Sequence, residues 1–215
     1  GLFGTAENIV TTKELIDRKT LADLTVKCIV LKHKNIRERM TYAEELEYLA
    51  TNEKRNDFIV NLLQHLDGNT LCLFQLVEKH GKPLYDQVQE TITDRKTFFV
   101  YGGTDTSERE EIRGKVENEK KSIILASYGT FSTGINIRNI NNIVFSSPSK
   151  SRIRVLQSLG RGLRKTDTKV SVLIFDIADD VSHNNKRNFT LNHFSERIAL
   201  YNEQQFDYEI SKVNL

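Results

Sequence analysis

The stretch Gln157-Ser158-Leu159-Gly160-Arg161-Gly162-Leu163-Arg164 holds the residue types that phosphate chemistry requires, at a usable spacing. Arg161 and Arg164 are three apart, so on a helix both guanidinium groups project from one face. Two planar, permanently charged forks side by side match the charge that builds on a transferring γ-phosphoryl group. Gly160 and Gly162 each cost a helix interior about 1 kcal/mol relative to Ala. They point to a close approach of backbone to something, where a larger residue would collide. The same octapeptide is also compatible with a solvated basic helix face. From Ser149 to Lys169 the chain has Lys150, Arg152, Arg154, Arg161, Arg164, Lys165 and Lys169 against one acid, Asp167. That density suits either a solvated helix or a site for phosphate groups.

Arginines of this kind act only on a scaffold that fixes them, and the rest of the pattern supplies one. Leu24 to Leu31 alternates and is rich in β-branched residues, which predicts a strand. Tyr42 to Leu49 and Asp57 to Leu66 carry helical spacing, with Ile59, Leu62, Leu63 and Leu66 at i, i+3, i+4 and i+7. Further strands are expected at Leu71 to Val77, Thr97 to Tyr101, Ser122 to Ala126, Asn142 to Ser146 and Val170 to Ile177. Helices are expected at Pro83 to Ile92, Ser107 to Asn118 and Val155 to Leu163, with a last amphipathic helix over Leu191, Phe194, Ile198 and Tyr201. Strands alternating with helices make an α/β domain with a mostly parallel sheet covered on both faces. Chemistry in such sheets sits beyond the carboxyl ends of the strands. There the sequence places Gly102-Gly103-Thr104, Ser127-Tyr128-Gly129-Thr130 and Ser147-Pro148-Ser149-Lys150, small residues that suit phosphate oxygens or simple tight turns.

Composition narrows the class. The 215 residues are 38% hydrophobic, ordinary for a globular chain with a core. No apolar run approaches the roughly 18 residues that a membrane span needs, and no signal-peptide pattern opens the chain. Gly1 in place of Met points to a chain cut from something longer. The balance of 31 Lys plus Arg against 29 Asp plus Glu excludes a polycation. Cys28 and Cys72 lie in apolar strand-like runs and are expected to be buried, reduced thiols. The five histidines are scattered without metal-ligand spacing, so no metal site is assigned. Lys79 and His80 follow a strand and invite either packing or strand-backbone contact.

The octapeptide resembles motif VI of superfamily-2 helicases, and its neighbours fall in that family's order. Ala126 to Ile137 looks like motif V, and Leu71 to Leu76 is similar to motif IV. Val100-Tyr101-Gly102-Gly103, with Arg109 downstream, looks like the glycine-bearing motif between them. The resemblance covers roughly Leu71 to Ile177 and implies a RecA-like, P-loop NTPase-type parallel sheet flanked by helices, the second motor lobe. Residues 1–20 would be a connector from a first lobe, and 21–215 the RecA-like domain.

By the same resemblance Arg164 is an arginine finger for the γ-phosphate of ATP and Arg161 its companion. Gln157, Gly134 and Asn136 would approach the nucleotide, although many relatives carry Asp where this chain has Asn136. Gly102, Gly103, Ser127 and Thr130 would contact a nucleic-acid backbone, which carries no base specificity. The chain has no G-x-x-x-x-G-K-[ST] loop and no acidic box for magnesium; Gly81-Lys82 is followed by Pro83 and is not a phosphate loop. ATP with Mg2+ would therefore be bound mainly by the N-terminal lobe of the same parent, and this fragment alone is expected to be inactive. The implied partners are single-stranded or branched DNA, or an RNA–DNA hybrid, in recombination and repair in the cytoplasm. A stand-alone nucleic-acid-binding module and the motor lobe of a restriction-type translocase are the alternatives.

Overall fold

The computed structural model describes residues 12–16, 24–131, 139–164 and 171–215. Among these, seven strands pair in parallel as one sheet: β1 (Leu24–Lys32), β2 (Thr70–Phe74), β3 (Thr97–Val100), β4 (Ile123–Ser127), β5 (Asn142–Phe145), β6 (Val172–Asp180) and β7 (Asp207–Asn214). Their order is β3-β4-β2-β5-β6-β1-β7, with long crossovers rather than hairpins. The helices are α1 (Thr12–Ile16), α2 (Tyr42–Thr51), α3 (Glu53–His65), α4 (Lys82–Thr91), α5 (Thr106–Glu117), α6 (Tyr128–Phe131), α7 (Ser151–Arg164) and α8 (Phe189–Glu203).

The period of two along each strand divides the core into two layers. Val26, Cys28 and Val30 of β1, Leu71 and Leu73 of β2, and Ile143 and Phe145 of β5 face one layer. There they meet Val155, Leu156 and Leu159 of α7 and Leu191, Phe194 and Tyr201 of α8. Ile29, Leu31, Cys72, Phe74, Val144 and Phe175 face the other, against Ile59, Leu62 and Leu63 of α3 and Leu84 and Val88 of α4. Nearly continuous apolar strands follow from burial on both faces. Each such side chain contributes roughly 1.5–3 kcal/mol by leaving water. Cys28 and Cys72 are free, buried and on opposite faces of the sheet. Burial pushes the Cys72 thiol up to about 12, so neither a disulfide nor thiolate chemistry arises here.

Four elements differ from the sequence expectation, each for a local reason. β2 ends at Phe74, and the chain turns at once into a π-helical turn, Val77–Gly81, that continues as α4. Leu76 O accepts from both His80 N (3.1 Å) and Gly81 N (2.8 Å). A Cβ on Gly81 would sit 2.5 Å from the Phe74 ring, so only glycine lets the turn close over β2. α7 begins at Ser151, four residues before its apolar period, because Ser149 caps it through Ser151 N to Ser149 Oγ (3.0 Å). The edge strand β7 follows α8; its half-buried Tyr208 and Ile210 were too sparse a signal among polar neighbours. Within the expected connector, α1 docks Leu15 into the core beside α3, and Lys27 Nζ donates to Leu15 O (2.8 Å) and Ile16 O (2.7 Å).

Candidate functional site

Because every strand runs the same way, all seven carboxyl ends share one edge of the sheet. Beyond β3, Gly102 and Gly103 are exposed in a tight turn closed by Thr104 N to Tyr101 O (2.9 Å) and Tyr101 N to Thr104 Oγ1 (3.1 Å). A Cβ on Gly102 would meet nothing within 4 Å, so the backbone there lies open. Beyond β4, Ser127 is half-buried and Gly129 exposed, while Thr130 turns inward and donates its hydroxyl to Ser127 O (2.7 Å). These two loops lie side by side, since β3 and β4 are neighbours.

The third loop, beyond β5, departs from expectation. Ser146 and Ser147 are buried, and Ser146 Oγ donates to Leu73 O (2.6 Å). Ser147 Oγ lies 2.6 Å from His80 Nδ1. Asn56 Nδ2 donates to Ala50 O (3.1 Å), which turns its Oδ1 toward His80 Nε2 at 3.0 Å. Nε2 therefore carries the proton and Nδ1 accepts from Ser147. Burial, then the nearby Arg55 charge, push His80 down to about 3 and hold it neutral. His80 is thus a packing residue, and Lys79 pairs with Glu47 (3.0 Å).

α7 starts at this edge and runs back toward the amino end of β6. Val155, Leu156 and Leu159 are buried, and Arg154 and Gln157 are exposed. Positions 161 and 164 lie in the last part of α7, four and seven residues beyond the exposed Gln157. At 1.5 Å per residue they lie about 14–18 Å along the helix from Arg152. Gly134 and Asn136 lie outside the described residues.

Two buried carboxylates, three residues apart on β6, tie helices to the same edge. Asp179 accepts from Arg55 Nε (2.9 Å) and Nη2 (3.0 Å) and from His33 Nε2 (2.8 Å). Burial opposes its charge, but Arg55 and His33 hold it far below the usual carboxylate range. Asp176 accepts from Arg197 Nε (2.8 Å), from Arg152 Nη1 (2.9 Å) and from the Tyr201 hydroxyl.

Residues 53–166 match the helicase conserved C-terminal domain. The whole chain aligns at 34% identity with the ATP-dependent DNA helicase uvsW of Enterobacteria phage T4 and spans 46% of that protein. The crystal structure of T4 UvsW superposes with a TM-score of 0.75 at 33% identity, over 89% of this chain and 42% of that one. The chain belongs to the helicase C-terminal domain family. Its sheet is the RecA-like sheet of that family. A type ISP restriction-modification enzyme, LlaBIII, shares the fold alone, at a TM-score of 0.55 and 12% identity over 94% of this chain and 16% of that one.

Within this helicase C-terminal domain the structure gathers Gly102, Gly103, Ser127 and Thr130 at one edge and carries positions 157, 161 and 164 on one helix, α7. Sequence reasoning counted Arg152 with the basic cluster. It is 1% exposed and wholly engaged inside the fold. Its place three residues before the buried Val155 is the signal that marked the inward face. Among the described residues no helix is long and apolar enough to cross a membrane.

Proposed function

We propose that this helicase C-terminal domain is the second motor lobe of an ATP-dependent DNA helicase. In this reading Arg164 is the arginine finger and Arg161 its companion. Gln157, Gly134 and Asn136 approach the nucleotide, and Gly102, Gly103, Ser127 and Thr130 grip the strand backbone. ATP with Mg2+, held mainly by an N-terminal lobe, supplies a γ-phosphoryl group on which negative charge develops as its bond loosens. The residues of this chain bind, orient and neutralise: planar guanidinium forks stabilise charge that appears only in the transition state. The substrate is DNA, as the kinship with a phage DNA helicase supports; branched DNA or an RNA–DNA hybrid, in recombination and repair, is the form that the motif resemblance implies.

The observation that carries this reading is the division of the site. The open glycine and serine loops lie at the carboxyl edge, while positions 157, 161 and 164 follow one another along α7 away from it. A single phosphate grip on a strand would place its arginines with the loops. Thr130 is buried and holds Ser127 O with its hydroxyl, so it contributes by shaping the loop. The test is ATP hydrolysis by the isolated 215-residue chain, with and without DNA. No turnover above background is expected; a rate of even about 1 per second, ordinary for an enzyme, would show a complete nucleotide site and overturn the proposal.

A further inference from the structure

The β4–α6 loop and the head of α7 meet through two buried side chains. Arg152 donates from Nε to Ser147 O (3.0 Å) and to Tyr128 Oη (3.2 Å). Its Nη1 donates to Asp176 Oδ1 (2.9 Å) and Ile177 O (2.7 Å), and its Nη2 to Phe145 O (3.0 Å). Tyr128, the first residue of α6, donates its own hydroxyl to Ser147 O (2.7 Å) and packs its ring on Phe145. One guanidinium thus touches the end of β5, the middle of β6 and the first residue of α6 at once.

The charge of Asp176 alone does not demand this arrangement. Arg197 already engages both oxygens of Asp176, at 2.8 and 2.9 Å, and Tyr201 adds a third donor. Burial opposes the charge of Asp176, and Arg197 ahead of Arg152 holds it below the ordinary carboxylate range. Besides satisfying Ser147 O, Ile177 O and Phe145 O, Arg152 adds the link to Tyr128, which lies between Ser127 and Thr130. α7 runs as one continuous helix from Arg152 to Arg164, the element along which a shift of its head would be carried.

We propose that Tyr128 and Arg152 form a joint that sets the position of α7, and with it Arg161 and Arg164, according to how the Ser127–Thr130 loop is held. They are positioning residues. The inference rests on the function proposed above, in which that loop contacts the strand and α7 serves the nucleotide. A misplacement of about 1 Å at a reacting centre costs up to a hundredfold in rate, so small movements at this joint suffice.

The test uses the two-lobed parent protein. Tyr128→Phe removes one oxygen and keeps the ring on Phe145. Turnover at saturating DNA is expected to fall about tenfold, with the KM for ATP and the nucleotide-free DNA affinity each within about twofold of wild type. The thermal midpoint is expected to move by no more than about 4 °C, the scale of one buried hydrogen bond. Arg152→Lys keeps the charge but loses the fork, and is expected to show the same kcat loss without a KM change. Wild-type turnover in Tyr128→Phe, or a loss confined to DNA affinity, overturns the joint. Arg164→Ala measured in parallel separates the failures. If it retains full turnover, the functional reading falls and the joint with it; if it abolishes turnover while Tyr128→Phe is normal, only the joint falls.

Discussion

The two edges of the sheet are both built of short polar loops, yet they differ in where their hydrogen bonds go. At the amino edge Asn69 accepts from Ser122 N (2.8 Å) and Ser122 Oγ (2.7 Å) and donates to Glu119 O (2.7 Å) and Asn139 O (2.9 Å). Arg95 donates to Leu63 O, Leu66 O, Gly68 O and Lys121 O. Gly68, at φ +88°, turns tightly against Asn141. At the carboxyl edge, Gly102, Gly103 and Gly129 are exposed, and a Cβ on Gly102 or Gly129 would meet nothing within 4 Å. One edge satisfies its own backbone and holds the fold closed. The other turns glycines outward, with empty space where a side chain would stand at Gly102 and Gly129. Polarity alone does not mark a site; exposed backbone without side-chain bulk does.

Substitutions at each place sharpen that contrast. The largest effect is expected away from both edges, at the far end of α7. Arg164→Ala in the two-lobed parent lowers ATP turnover by on the order of a thousandfold, the scale of arginine fingers elsewhere. Arg164→Lys does not rescue it, because an ammonium cannot reproduce the planar fork; steady-state hydrolysis assays decide both. Next comes Asn69→Ala, which leaves four bonded groups without their partner and costs about 3 kcal/mol in urea unfolding. DNA affinity per folded molecule is unchanged.

Gly102→Glu does the reverse. Its side chain has room, so the melting midpoint stays at the wild-type value, while a carboxylate beside phosphate lowers DNA affinity about tenfold at low salt. The last effect concerns His80, is negligible near neutral pH and grows only in acid. Its folded pKa, pushed down to about 3 from an ordinary 6.5, means that the unfolded chain binds a proton that the folded one refuses. Stability is therefore complete above about pH 6.5 and declines as pH falls toward 3, by at most about 1.4 kcal/mol per unit. Asp179, whose folded pKa is lowered, adds its own loss only below about pH 4. His80→Gln is expected to flatten the upper window in a pH series of unfolding curves and leave the lower one.

Much of this was legible in the chain before its structure. The alternation of Val26, Cys28 and Val30 with Ile29 and Leu31, and the i, i+3, i+4 spacing of Ile59, Leu62 and Leu63, give strand and helix directly, because burial imposes those periods. The glycine pair after β3 and the paired arginines of α7 were visible as chemistry on a scaffold. Burial of charge was not. Arg152 shares the helical period of Val155, Leu156 and Leu159, but nothing near it in the sequence shows that Asp176 from β6 and Tyr128 from α6 take up its charge. Ser147 likewise looked like an open loop residue until His80, 67 positions earlier, claimed its hydroxyl. Such pairings depend on long-range topology, which local periodicity does not encode. β7 was missed for a related reason: an edge strand is held by backbone pairing with β1 and needs little apolar side chain.

The central claim is that α7 serves a nucleotide completed by another lobe, while the carboxyl-edge loops serve the strand. The most direct test is DNA affinity without nucleotide, measured on the Arg164→Ala parent protein whose turnover at saturating DNA is also known. The account predicts DNA affinity within about twofold of wild type and turnover lost. Collapse of DNA binding, with a shallower salt dependence and turnover preserved at saturating DNA, would contradict it.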